Sequence, residues 1–194
     1  MNASMWSTVA QGILPTIEVT AVSFVIGAAL GVPMMLLRIS TWWPLRWAAR
    51  ALIEIVRGVP LVVWLFLIYN GPTQFDPSLS RIFTSWRSAV AALALVSAVY
   101  MAEIYRGSLR AIHGGQWEAS QALGMSTFQT AAHVIAPQMI RVATPASANY
   151  AIGLIKDSSL VSTIGVFEIT YYATTLSTTL SSASSPRRIR FSRM

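Results

Sequence analysis

The residues able to act on another molecule are few, and they sit where charge is expensive. Arg57 stands just before Gly58 and Pro60 near the start of the apolar segment 51–70. Glu103 comes at the end of 88–106, and Asn149, Lys156 and Asp157 fall inside 143–166. None belongs to a catalytic constellation. There is no Cys, hence no thiol nucleophile, thiolate metal site or disulfide. His113 and His133 lie in the loop region outside the apolar segments, and neither Gly-x-Ser-x-Gly nor His-Glu-x-x-His occurs. No Gly-rich loop ending in Gly-Lys-Ser/Thr is present, so the chain has no ATP site. We expect no catalytic residue and no metal ligand, which argues against a membrane enzyme such as an intramembrane protease. The chemistry left to these groups is non-covalent: pairing with each other, bending a helix, or lining a path for something polar.

Each group has an ordinary reading beside that one. Glu54 and Arg57 are three apart and can pair on one helical face. Gly58 and Pro60 interrupt a helix and free backbone groups, either as a plain kink or as part of a path that opens. Glu103, Arg106 and Arg110 have helical spacing, so a local ion-pair ladder is the default. An ionisable group at the edge of a membrane helix is nonetheless rare and often functional. Lys156 and Asp157 are adjacent and do not face each other on a helix, so each needs a partner elsewhere. With Pro145 and Asn149 they make 143–166 too polar to face lipid all round.

The elements that must hold these groups are membrane helices. Of 194 residues, 54% are hydrophobic and only 11% charged, against about 25% charged in a soluble domain. Four spans are expected, at 16–37, 51–70, 88–106 and 143–166, each near the ~20 residues that cross the hydrocarbon core. Ser23, Gly27 and Gly31 fall four apart, a spacing that lets two helices approach closely in lipid. Arg38, Arg46 and Arg50 interleave with Trp42, Trp43 and Trp47, as expected of a loop at the membrane surface. Residues 1 to 12 hold no Lys or Arg and so do not read as a secretory signal peptide.

Between the last two spans lies GQWEASQALGMSTFQTAAHVIAP, residues 115–137. It reads as a helix from Gln116 to Leu123, a stop at Gly124, and a second short helix opened by the capping box Ser126-x-x-Gln129. A helix, a glycine break and a helix, held in water between spans, make a docking shape.

This stretch resembles the EAA loop of ABC importer permeases through Glu118-Ala119-Ser120, Gly124 and Val134-Ile135-Ala136-Pro137. The family pattern ends in Ile-x-Leu-Pro, where Val134 and Ala136 stand here, and Ser120 replaces an Ala. From about residue 12 to 172 the chain is most similar to the polar-amino-acid branch. The matching motifs are Arg57-Gly58-Val59-Pro60-Leu61, Tyr100 through Gly107, and Lys156-Asp157-Ser158-Ser159-Leu160. Trp64 stands where relatives usually carry Gln. The resemblance implies an all-α, multi-pass transmembrane helical bundle with a cytoplasmic coupling-helix loop, in the bacterial inner (plasma) membrane.

It further implies import of a polar amino acid. Gln116, Glu118, Ala119, Ser120, Gly124 and Pro137 would couple to separate ABC ATPase subunits. Arg57, Gly58, Pro60, Glu103, Asn149, Lys156 and Asp157 are the candidates for gating or the translocation path. The implied partners are a second permease subunit, identical or homologous, and a periplasmic or extracellular amino-acid-binding protein. Membrane lipid surrounds the chain, and no nucleic acid is expected. No cofactor belongs to this chain; ATP and Mg would sit on the partner ATPase. A stand-alone carrier or channel, or a truncated and non-functional permease, are the alternatives.

Charge sets the expected topology. Arg38, Arg46, Arg50, Arg57, Arg106, Arg110, Arg141 and Lys156 fall on the side of the docking loop, and Arg81 and Arg87 on the other. The positive-inside rule then puts the amino terminus outside and the docking loop in the cytoplasm. After Tyr172 relatives continue into a fifth apolar span. Residues 173–194 here are rich in Ser, Thr and Arg, and we expect the final span to be missing.

Overall fold

The computed structural model describes residue 7 and residues 9–184. All regular structure among them is helical, as the composition predicts. The chain runs through α1 (Ile13–Ile39), α2 (Trp43–Gly58), α3 (Leu61–Phe75), a 3₁₀ turn (Pro77–Arg81) and α4 (Ser85–Arg110). It continues through α5 (Gly115–Ala122), α6 (Thr127–Gln129), a π-turn (Thr130–Ile135) and α7 (Ala136–Asp157). A 3₁₀ segment (Ser158–Ile164) and α8 (Ile169–Ser184) follow.

The fold is built on α4, two-thirds of whose apolar window is buried. Its main neighbour is α1. The face of α1 that carries Val19, Thr20, Ser23, Gly27, Gly31 and Met35 is buried, and the small residues allow the approach. A Cβ on Gly27 would stand 2.2 Å from the Ser97 Cβ, and one on Gly31 2.7 Å from the Met101 Cβ. Polar bonds run across the same seam: Ser23 Oγ donates to the Val90 carbonyl (3.4 Å) and the Tyr105 hydroxyl to the Ala28 carbonyl (3.2 Å). Val19, Leu65, Leu93, Leu154 and Val161 form one core cluster; Met35, Ile53, Val56 and Val99 form a second beside it.

By length and apolarity, α1 and α4 can each cross a membrane, and α2 with α3 can if the bent pair counts as one span. The break falls at the Gly58 and Pro60 positions expected to interrupt the span over 51–70, and it separates two helices outright. The two helices meet at 99°, broken at Gly58-Val59-Pro60. Pro60 has no N–H to give the carbonyl four residues back, and that carbonyl belongs to Val56. Trp64 replaces the missing donor: its Nε1–H reaches the Val56 oxygen at 3.2 Å. We predict that Trp64→Phe, which keeps an aromatic ring and removes the donor, costs about 1–3 kcal/mol. The check is the melting temperature of the purified chain; no change would mean another group serves that carbonyl.

The fourth expected span is also divided. α7 ends at Asp157 and tightens into the 3₁₀ segment. Hydroxyls explain it: Ser158, Ser159, Ser162 and Thr163 each donate to the carbonyl three residues back, at 2.6–2.8 Å. Such bonds compete with the α-helical ladder. Gly165, at φ 81°, ends the segment. Within one chain only Ala143 and Leu154 of α7 are buried, so the shelter expected for its polar groups is not supplied by this chain's own helices.

The Ser/Thr-rich tail, where no final apolar span is expected, is helical as far as Ser184. α8 extends to Ser184, and hydroxyls of Thr174, Thr175, Ser177 and Thr178 donate to carbonyls three or four residues earlier, so they are satisfied within the helix. Its 16 residues span about 24 Å, short of the ~30 Å hydrocarbon core. Residues 185–194, with the tail arginines, lie outside the described part. The start of α8 is pinned to the start of α1: the Ile169 N–H donates to Thr16 Oγ1 (3.3 Å), and a Cβ on Gly12 would meet the Ile169 nitrogen at 2.5 Å. Buried Glu168 caps the helix by accepting the Tyr171 N–H at 3.0 Å.

Candidate functional site

Two places concentrate the residues singled out by sequence. The first is a cavity of about 410 Å³ beside the α2–α3 break, walled by α4 and α7. Arg57, Pro60, Asn149 and Asp157 all line it. The remaining wall includes Tyr100, Tyr150 and Gly153. The Arg57 guanidinium lies 5.0 Å from the centroid of the Tyr100 ring, within reach of cation–π attraction. Tyr100 stacks on Tyr150, with centroids 5.2 Å apart and planes at 20°. The Tyr150 hydroxyl shares a 3.1 Å hydrogen bond with Ser97 Oγ. Among the described residues the possible Glu54–Arg57 pair is not formed; Arg57 turns to the aromatic wall instead. The cavity thus presents a cation, an anion, an amide and two stacked rings.

Three candidates lie elsewhere. Gly58 sits in the break and does not line the cavity. Lys156 is exposed, away from the cavity wall. Glu103 is held by Arg106, whose Nε donates to its Oε2 at 3.0 Å, and by Arg38 from α1, whose Nε is 3.6 Å from Oε1. The expected ladder on α4 is real as far as Arg106. It does not include Arg110, and it gains Arg38, so it ties the ends of α1 and α4 together.

The second place is the elbow formed by residues 115–137. α5 ends in a Schellman motif. Gly124 takes φ 74°, its N–H donates to the Gln121 carbonyl (2.9 Å), and the Met125 N–H donates to the Ser120 carbonyl (3.1 Å). A left-handed residue is what this closure requires, and glycine takes it without a Cβ penalty. The capping box is present: Ser126 Oγ accepts the Gln129 N–H (3.3 Å) and Gln129 Oε1 accepts the Ser126 N–H (2.9 Å).

The second helix is not short, contrary to expectation. It runs on through the π-turn into α7, so the elbow is one rigid piece with a membrane-side helix. The wide turn falls just before Pro137, which cannot donate to the His133 carbonyl and whose ring crowds it. The Ala136 N–H reaches back five residues to Ala131, which makes room.

Gln116 and Ser120 brace this piece from within. Ser120 is buried, its Oγ donating to the Gln116 carbonyl (2.8 Å), and Gln138 Nε2 donates to Gln116 Oε1 (3.1 Å). Glu118, Ala119 and Pro137 face solvent. Leu123 and Phe128 flank the Gly124 bend, 81% and 79% exposed. Sequence reasoning passed over both, although two large apolar side chains next to a glycine stop in a water-facing loop were the available sign.

The chain matches the family of binding-protein-dependent transport system inner membrane components over residues 23–180. The chain belongs to this family.

Among similar proteins is a probable amino-acid ABC transporter permease, YckA of Bacillus subtilis, 39% identical over 165 residues, which cover 85% of this permease and 71% of YckA. Another is the L-cystine transport system permease TcyB of the same organism, 39% identical over 169 residues, covering 87% and 70%. The octopine transport system permease OccM of Rhizobium radiobacter is 38% identical over 182 residues, covering 90% and 74%. In three dimensions the permease superimposes on a chain from a crystal structure of an amino acid ABC transporter with histidines (TM-score 0.79, 33% identity, 90% and 80% coverage). It shares the fold of a chain of the inward-facing MetNI methionine ABC transporter (TM-score 0.74, 22% identity, 93% and 90% coverage). It is a multi-pass inner-membrane permease of an ABC importer.

Proposed function

We propose that this permease imports a polar amino acid, with its cavity holding the substrate in passage and its elbow docking into an ABC ATPase. The observation that carries the reading is the cavity's wall: Arg57 offers a guanidinium to an α-carboxylate, and Asp157 a carboxylate to an α-ammonium. Asn149 adds an amide able to donate and accept. The names of the similar permeases and the amino acid transporter fold support the same substrate class. A second permease subunit, identical or homologous, would close the open face of α7, where only two side chains are buried within one chain.

The elbow supports the coupling. Its apolar pair Leu123 and Phe128 would enter a groove on the ATPase, with Glu118 in polar contact and Gly124 fixing the angle. ATP and Mg would bind on that partner, and a periplasmic or extracellular binding protein would deliver the amino acid. Excess positive charge on the elbow side supports a cytoplasmic elbow and an amino terminus outside. ATP binding and release would rock the paired permeases between outward- and inward-open states.

The test is uptake of labelled amino acid into proteoliposomes holding the permease, its ATPase and its binding protein. Arg57→Gln and Asp157→Asn are each expected to lower uptake about tenfold or more, the equivalent of one lost charge-assisted contact, with the assembled complex intact. Full uptake by both variants would remove the cavity from the path. Uptake that persists without ATP would favour a stand-alone carrier.

A further inference from the structure

A separate cavity of about 200 Å³ opens where α1 ends and α2 begins, walled by Arg38, Arg46, Trp47 and Arg50. Three guanidinium groups around so small a space repel one another unless an anion sits among them. Protein carboxylates do little here. Glu103 meets Arg38 at 3.6 Å, but its other oxygen is taken by Arg106. Glu54, on α2, does not line the cavity, and among the described residues Arg46 and Arg50 have no carboxylate within ion-pair distance. Arg50 instead packs over the Trp47 ring, 5.5 Å from its centroid.

The position of the cavity says what the anion is. Arg38 occupies the last turn of α1, a helix that crosses the membrane, so the cavity lies at headgroup depth. Trp42, Trp43 and Trp47 around it are 68%, 62% and 53% exposed, the placing of interfacial aromatic anchors. The Arg38–Glu103–Arg106 contacts put it on the same side of the membrane as the elbow, which follows α4. Basic pockets between membrane helices at that depth suit lipid phosphate, and a guanidinium fork matches phosphate oxygens.

We propose that Arg38, Arg46 and Arg50 form a phosphate site filled by the headgroup of an anionic phospholipid. The site is independent of which substrate is carried and of whether the elbow docks an ATPase.

The test uses the full-length permease in nanodiscs of phosphatidylcholine with or without phosphatidylglycerol, then native mass spectrometry of the retained lipid. Arg46 and Arg50 are exposed, so R46Q/R50Q leaves the packing intact. Wild type is expected to retain phosphatidylglycerol selectively, and R46Q/R50Q to bind it about thirtyfold more weakly, the equivalent of about 2 kcal/mol at roughly 1 kcal/mol per arginine. R46K/R50K, which keeps the charge, is expected to recover most of that loss. Equal retention by wild type and R46Q/R50Q would overturn the proposal. Inorganic phosphate displacing the lipid at low concentration would overturn the lipid source, leaving a site for a soluble anion. Loss of a co-purifying ATPase with lipid retention unchanged would overturn it too, making the face a protein contact.

Discussion

Replacing Leu123 and Phe128 together by aspartate is expected to lower ATP-driven uptake about a hundredfold or more while the permease stays folded in the membrane. Both side chains lie almost wholly in solvent and touch no core cluster, so the substitution removes nothing the isolated fold needs. If they enter a groove on the ATPase, each is a buried apolar anchor in the complex. Anchors of that kind cost about 2–4 kcal/mol when lost, and a charge in their place adds a desolvation penalty. Co-purification of the ATPase should be lost in parallel. A cysteine at position 123, in a chain that has none, reads the same contact. An impermeant thiol reagent should label it from the cytoplasmic face, and bound ATPase should protect it. Ser120, equally central to the motif, is unsuited to this because it is buried. Normal uptake by the double aspartate variant would mean that the elbow is not the coupling contact.

The second large effect is on stability. Gly27→Ala should destabilise the permease by about 3 kcal/mol, at the upper end of overpacking costs, and lower its melting temperature by on the order of 10 °C. The new methyl would stand 2.2 Å from the Ser97 Cβ and 3.0 Å from the Ser97 carbonyl carbon. Two packed helices cannot move apart at one point without opening the α1–α4 seam along their length. Gly107→Ala, also in a helix but with nothing within 4 Å of the added methyl, is the control and should stabilise slightly, since alanine is the better helix former. Equal melting of the Gly27 variant and wild type would show that the seam is looser than its contacts imply.

The two predictions differ in how far they could be read from sequence. The close approach at Gly27 follows from the spacing of Ser23, Gly27 and Gly31, because residues four apart share a helical face. The bend at Gly124 and the Ser126–Gln129 box follow from side chains that satisfy backbone groups within a few residues. The helical class follows from composition and the length of apolar runs. Such features are encoded locally, so a single chain displays them.

Other features needed the assembled fold. By spacing Arg57 could pair with Glu54, three residues away; it packs instead over the Tyr100 ring from another helix. Trp64 looked like a lost polar position, yet it supplies the N–H that Pro60 withholds from Val56. The bend of 99° between α2 and α3 could be suspected from Gly58 and Pro60, but not its angle or the cavity it opens. The helix α8 in the Ser/Thr-rich tail was not legible either, because composition there shows only the lack of an apolar run, while the hydroxyls can bond back onto the same helix. What sequence alone determined is each segment's periodicity, its caps and its breaks, because these depend on neighbours a turn away. Only the tertiary structure decided which charges meet. Residues 57, 100, 150 and 157 share one cavity through the packing of α2, α4 and α7, and that packing is set by the whole of the buried surface.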